Sequence, residues 1–186
     1  FGSNVELFSS VNELFELELA FLENKSLPKD QLLERTAYIK SIDNKFSNHF
    51  LLYSNKSETI NSNRTAMTQT YFEEGRFSTG YATHGLFPYR GKFHPQLIKG
   101  LINILNIKND ETILDPMAGS GTTNIEAALM GINSKAIDVS PFCQLMIKTK
   151  YEALTINLNS LEKIKIENKK LFDFFKQGWR FRANWA

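Results

Sequence analysis

The stretch from Glu111 to Asp138 restricts this chain more than any other. It reads as an apolar strand (Glu111-Thr112-Ile113-Leu114-Asp115), a glycine-rich turn (Met117 to Gly121), a helix from about Thr122 to Met130 stopped by Gly131, and a second strand at Ser134–Asp138. About 28 residues is the size of a βαβ crossover. Such a unit places two parallel strands side by side with the turn at their carboxyl ends. Gly119 and Gly121 lack a Cβ, so the chain can turn tightly and a ligand can lie against bare backbone. The helix that follows offers free N–H groups and a partial positive charge.

Asp138 stands 17 residues after Gly121, at the expected carboxyl end of the second strand. A carboxylate there can accept both hydroxyls of an adenosine ribose. Gly119-x-Gly121-x-x-Asn124 lacks the third glycine of the dinucleotide fingerprint, and no lysine follows Gly121 as a phosphate-binding loop requires. Asp115, just ahead of the glycines, repels a pyrophosphate but suits a cofactor with a cationic end. S-adenosylmethionine has both a sulfonium and an ammonium group, and its carboxylate can meet backbone N–H groups.

These residues also resemble a family. Leu114-Asp115-Pro116-Met117-Ala118-Gly119-Ser120-Gly121-Thr122-Thr123 is similar to the cofactor loop of the N4-cytosine/N6-adenine amino-methyltransferases that act on DNA, a loop form shared by some RNA guanine methyltransferases. Ala136-Ile137-Asp138-Val139-Ser140-Pro141 resembles that family's second motif. His84-Gly85-Leu86-Phe87-Pro88-Tyr89-Arg90-Gly91-Lys92-Phe93-His94-Pro95-Gln96-Leu97 resembles the block that precedes the loop and packs over the methionine end. The resemblance spans residues 84–141 and leaves 1–75 uncovered.

It implies an α/β chain: a partial Rossmann-like S-adenosylmethionine-dependent methyltransferase fold with a helical N-terminal segment. The expected division is 1–75, helical segment and linker, and 76–186, cofactor-binding portion. The implied cofactor-binding residues are Tyr89, Phe93, Asp115, Pro116, Ala118, Gly119, Ser120, Gly121, Thr122, Thr123, Asp138 and Val139. By the resemblance, Asp115 lies near the methionine ammonium and Gly119 and Gly121 form the cradle. Thr122 and Thr123 cap the helix or reach the carboxylate. Asp138 holds the ribose, Val139 flanks the adenine, and Tyr89 and Phe93 wall the methionine side. Core packing is the alternative for those two aromatics.

The same resemblance exposes a gap. Its members methylate through an Asp/Asn/Ser-Pro-Pro-aromatic motif, which holds the target amine and stacks on a flipped base. The five prolines here, at 28, 88, 95, 116 and 141, include no adjacent pair. No catalytic residue is therefore assignable. Two strands alone make a poor sheet, so the expectation is a fragment or subunit of a larger enzyme, completed by a C-terminal catalytic segment or a partner chain. The expected activity is methyl transfer to an exocyclic amine of adenine or cytosine in DNA. The alternatives are an RNA base methyltransferase, a non-catalytic cofactor-binding or specificity subunit, and a nucleotide-binding module unrelated to methylation.

The remaining sequence adds less. With 42% hydrophobic and 23% charged residues the composition is that of an ordinary soluble globular protein. No apolar run approaches the roughly 18 residues of a membrane span, and no signal-peptide pattern opens the chain, so it reads as cytoplasmic. His49, His84 and His94 lack metal-ligand spacing, and the single cysteine, Cys143, excludes a disulfide framework. A capping box at Ser10 and Glu13, with Phe8, Val11, Phe15, Leu19 and Leu22 on one face, predicts a first helix. A second is expected near Asp30, using Leu32, Leu33 and Ala37. Residues 46–53 read as helix or irregular structure, and 54–70 as a linker. Pro95 should open a helix with a stripe of Leu97, Ile98, Leu101, Ile102 and Leu105, and Ser140-Pro141 another. A last helix is expected from Ser160. Residues 1–34 carry a balance of −5 and residues 163–186 one of +5, so the tail suits an anionic partner or the opposite end of the chain.

Overall fold

Among the described residues, two small sheets form, one antiparallel and one parallel. The computed structural model describes residues 1, 4–54, 80–157 and 169. Phe1–Tyr151 clusters as one unit and Glu152–Ala186 as another. Among the described residues no helix is long and apolar enough to cross a membrane.

The first sheet adds three strands to the N-terminal segment expected to be helical with a linker. β1 (Val5–Leu7), β2 (Ile39–Ile42) and β3 (Lys45–Phe46) pair antiparallel in the order β1-β2-β3. Asp43 and Asn44, with φ of 49° and 63°, turn β2 back into β3. Two consecutive left-handed residues make the hairpin turn whose twist matches the strands, and Asp and Asn tolerate that conformation best after glycine.

Helix α1 spans Leu14–Ser26. Its capping box sits three residues later than expected: the Glu16 carboxylate accepts from the Asn12 and Glu13 N–H groups at 3.1 and 3.4 Å. The inward face also differs. Phe8 lies outside the helix and is buried, while Phe15 and Leu22 are 53% and 46% exposed. Ala20 and Glu23 are the buried pair instead. Helix α2 (Leu32–Arg35) is a single turn, with Ala37 beyond it in the core, and α3 (Asn48–Ser54) resolves the ambiguity at 46–53 as β3 followed by helix. The expected linker beyond Ser54 and the helix expected from Ser160 fall outside the described residues, Lys169 excepted.

Helix α4 (Pro95–Ile104) starts with proline in its first turn, as expected. It is sandwiched between the two halves of the unit. Toward α1 it presents polar groups: Asn103 Nδ2 donates to Glu23 at 2.6 Å and Gln96 Nε2 to the Ala37 carbonyl at 2.8 Å. Glu23 also accepts from the Thr36 hydroxyl at 2.8 Å and the Ala37 N–H at 2.7 Å. Toward the parallel sheet it presents Ile98 and Ile102, which pack with Ala127, Ile132 and Ile113. Leu101 and Leu105, expected in the stripe, are exposed.

The βαβ unit forms as read. β4 (Thr112–Asp115) and β5 (Asn133–Ala136) pair parallel, with Asp115 opposite Ala136, and α5 (Thr122–Leu129) crosses between them. β5 ends two residues before Asp138, which puts that carboxylate in the connection to the next helix rather than in the strand. Helix α6 (Pro141–Thr155) follows, its Cys143 N–H 3.5 Å from the Ser140 hydroxyl oxygen at the N-terminus.

Candidate cofactor site

The turn between β4 and α5 is fixed from three sides. From the strand side, the Ile137 N–H donates to the Asp115 carbonyl at 2.9 Å and the Ala118 N–H to the Ile137 carbonyl at 3.0 Å. The carboxylate of Asp115 accepts from the Met117 N–H at 3.2 Å. From the second crossover, Asp138 accepts from the Gly119 N–H at 2.8 Å through one oxygen and from the Ser140 N–H at 2.9 Å through the other. Those two bonds, Ser140 first and Gly119 second, hold the Asp138 carboxyl below the usual carboxylate range. From α6, the buried Lys150 ammonium donates to the Ser120 carbonyl at 2.8 Å. Burial, and then the charge of Lys92, lower the Lys150 amine from its ordinary value.

The two turn glycines are required. Gly119 and Gly121 have φ of 51° and 79°, where a Cβ is strained. A Cβ on Gly119 would meet the Tyr89 ring at 3.3 Å, and one on Gly121 would meet Ile147 Cγ1 at 2.7 Å. Gly121 precedes α5 as its left-handed N-cap, and no side chain caps that end. The first N–H groups of any helix have no partner within it. Those of α5 therefore open onto the turn as donors.

The structure brings together Tyr89, Asp115, Ala118, Gly119, Ser120, Gly121 and Asp138. The Tyr89 hydroxyl accepts from the Cys143 thiol at 3.7 Å and its ring covers Gly119. The contact with Cys143 raises the Tyr89 phenol above its ordinary value, with Asp138 adding to the shift. Thr122 is buried in the first turn of α5, Thr123 half-buried and Pro116 exposed. Val139 is fully exposed beside Asp138, and Phe93 is 62% exposed, which excludes core packing for it. Lys150 is the residue the motif reading missed. Its signal was the inward spacing Cys143, Met146, Lys150 on α6, which places the amine on the buried face.

Each Asp138 oxygen takes one backbone N–H and keeps a second lone pair. The carboxylate can thus accept two neighbouring hydroxyls without releasing the turn. Asp115 supplies a negative charge at the end of β4, and the α5 N-terminus supplies donors for a carboxylate. A ligand with a diol, a cation and a carboxylate matches this donor and acceptor set.

Residues 86–172 match the model of the UPF0020 family, described as an RMKL-like methyltransferase domain. The chain is 40% identical over 96 residues to the Type II methyltransferase M.MjaII of Methanocaldococcus jannaschii, covering 48% of this chain and 18% of the relative. It is 35% identical over 80 residues to the Type II methyltransferase M.BsoBI of Geobacillus stearothermophilus, covering 43% and 16%. A tRNA (guanine(10)-N2)-dimethyltransferase of Methanothermobacter thermautotrophicus is 38% identical over 53 residues, covering 28% and 16%. The chain thus spans less than a fifth of the length of each of these relatives. The matched stretch is similar to a methyltransferase domain, in keeping with the motif resemblance.

Proposed function

We propose that this chain supplies the S-adenosylmethionine-binding part of an amino-methyltransferase acting on nucleic-acid bases, with DNA as the substrate. The observation that carries the reading is the Asp138 carboxylate bonded across to Gly119, which joins the diol acceptor and the backbone cradle into one rigid site. Within it Asp138 accepts the ribose hydroxyls, Gly119 and Gly121 let the cofactor approach the backbone, and Asp115 faces the ammonium group. Val139 lies under the adenine, while Tyr89 and Phe93 close the methionine side. When bound, the cofactor supplies a methyl group on a sulfonium for in-line displacement.

The amine acceptor needs a separate set of residues. The sequence contains no adjacent prolines, so we place base recognition and catalysis on polypeptide outside these 186 residues, in the same chain or a partner. Residues 76–186 are then the cofactor portion and 1–75 the N-terminal segment. Leu114 and Ile137, at the two strand ends, are 56% and 55% exposed, and exposed apolar side chains of this kind suit further packing. A second reading, an RNA acceptor, draws on the tRNA-modifying relative.

Calorimetric titration with S-adenosylmethionine tests the site. We expect binding to the 186-residue chain, weakened about tenfold or more in Asp138→Ala, as loss of a charged acceptor for two hydroxyls implies. A folded chain that binds nothing, or one that binds ATP and NAD equally well, refutes the reading.

A further inference from the structure

A buried polar cluster lies behind the site, and of its three members only His84 falls within the motif resemblance. Glu126, on the inward face of α5 one turn after Thr122, is 1% exposed. His84 Nε2 donates to Glu126 Oε1 at 2.8 Å, and the Tyr81 hydroxyl donates to the same oxygen. His84 is equally buried, and the Tyr81 and His84 rings stand edge to face, 5.0 Å apart. We infer that Tyr81, His84 and Glu126 form a latch that holds Tyr89 over the glycine turn, which makes His84 and Glu126 positioning residues for the cofactor site. The inference rests on the proposed function for what the site binds, but not for the latch itself.

Three observations connect the cluster to Tyr89. The segment is wound tightly at the latch: the His84 N–H reaches the Tyr81 carbonyl at 3.1 Å and the Leu86 N–H the Thr83 carbonyl at 3.2 Å. The loop that follows is closed at its neck, because Lys92 Nζ donates back to the His84 carbonyl at 3.4 Å. Tyr89 lies within that closed loop, and its ring and hydroxyl meet Gly119 and Cys143. Fixing His84 therefore fixes the neck, and the neck fixes the aromatic cover of the turn.

The chemistry makes the latch stiff. A carboxylate taken out of water is strongly unfavourable unless hydrogen-bonded donors surround it. If residues 81–84 lift off α5, Glu126 loses two donors at once while remaining in the interior. The segment therefore has one favourable seat, and α5, whose first turn borders the cradle, provides it. Simple core packing would not need a shared carboxylate oxygen between two donors from one loop.

The lone cysteine gives a readout that needs no cofactor. Cys143 is buried and touches the Tyr89 hydroxyl, so its thiol should react with a disulfide reagent only when Tyr89 moves away. Labelling rates are measured over increasing urea for the unaltered chain, Glu126→Ala, Glu126→Gln, Tyr89→Ala and the Tyr89→Ala/Glu126→Ala pair. We expect Glu126→Ala, which removes both bonds, to speed labelling by more than about tenfold, the least that one charge-assisted bond is worth. That rise should not depend on urea, as for local opening. Glu126→Gln should recover part of the protection, and the pair should label no faster than Tyr89→Ala alone. His84→Ala, which leaves Glu126 its bond from Tyr81, stands in if Glu126→Ala fails to fold. Labelling that rises only along the global unfolding slope, or effects of the two substitutions that simply multiply, overturns the latch. Titration with S-adenosylmethionine separates the two claims. Expected labelling without cofactor binding sinks the proposed function alone, and binding that depends on Asp138 with unchanged labelling in Glu126→Ala sinks the latch alone.

Discussion

Gly121→Ala is the sharpest test of the turn geometry. The residue has φ 79° and ψ 31°, the left-handed region. An L side chain there costs about 1–2 kcal/mol. The new Cβ would also sit 2.7 Å from Ile147 Cγ1 and 3.3 Å from Ile147 Cβ. Rotating the isoleucine moves its γ carbons but not its Cβ, so relief needs a shift of α6 or of the turn. Overpacking of this kind costs about 1–3 kcal/mol. The alanine also lowers the entropy of the unfolded chain, which offsets about 0.4–1 kcal/mol. The net expectation is a loss of about 1–4.6 kcal/mol, a sizeable share of the roughly 5–15 kcal/mol typical of a domain. Urea unfolding followed by circular dichroism measures it. Ile147→Ala in the same background removes the 2.7 Å contact with Cγ1 and leaves the 3.3 Å contact with Cβ and the backbone strain, so the pair should be better than additive by about 1–2 kcal/mol. A Gly121→Ala chain as stable as the original, or a pair that merely adds, refutes the left-handed turn packed on Ile147.

Two other substitutions probe buried charge. Burial, then the charges of Lys99, His94 and His84, hold the His49 imidazole well below its ordinary 6.5, while Lys99 Nζ donates to its Nδ1 at 3.2 Å. The unfolded chain therefore binds a proton near pH 6.5 that the folded chain refuses. Stability is present above that value and falls as pH drops through it, by up to about 1.4 kcal/mol per unit for this group. His94, also lowered chiefly by burial, acts in the same direction. Urea midpoints taken across this range should fall toward acid, and His49→Gln should flatten the curve; an unchanged slope contradicts the assignment. Lys150→Met should cost about 1–3 kcal/mol by leaving the Ser120 carbonyl without its donor. It should also loosen the cradle, so calorimetry should show weaker cofactor binding than in the unaltered chain, and equal affinity would show that the lysine does not shape the site.

The site was legible where local chemistry decides. Ser140-Pro141, Pro95 and Gly131 each punctuate a helix through a backbone property that survives any tertiary context, and all three do so here. The Gly119-Gly121 turn was legible because a tight left-handed turn between a parallel strand and its helix leaves few choices of residue. Asp138 itself landed outside the strand, since strand ends are set by ladder pairing, which stops at Ala136. The β2–β3 hairpin was missed although Asp43-Asn44 lay between Ile39–Ile42 and Lys45–Phe46. The strands are too short for a period-two pattern to stand out. Lys150 and Glu126 were hidden for another reason. Each bonds to backbone or side chains at least 30 residues away, and no local pattern encodes such a partner.

The face of α1 shows why hydrophobic periodicity alone misplaced a helix that was otherwise correctly found. Periodicity selects the inward side only if the neighbour is apolar. Here the neighbour is the polar side of α4, together with the N–H groups of Ala37 and Tyr38, which have no strand partner of their own at that point. Those buried donors require an acceptor, because an unmet N–H costs about 1–3 kcal/mol each. Glu23 meets four donors from one position, Thr36, Ala37, Tyr38 and Asn103. Burial raises its carboxyl above the ordinary value even so, and the four bonds pull against that rise. Turning the helix to bury Phe15 and Leu22 would gain about 1.5–3 kcal/mol per side chain. It would lose all four bonds and leave second acceptors only to the Tyr38 N–H, at Thr36 Oγ1, and to Asn103, at the Arg35 carbonyl, so the polar arrangement wins. The same reasoning applies to α4, whose polar side is satisfied by α1 and whose isoleucines fill the βαβ core. The N-terminal segment thus meets α4 through matched hydrogen bonds, beside the apolar cluster of Phe8 and Tyr81.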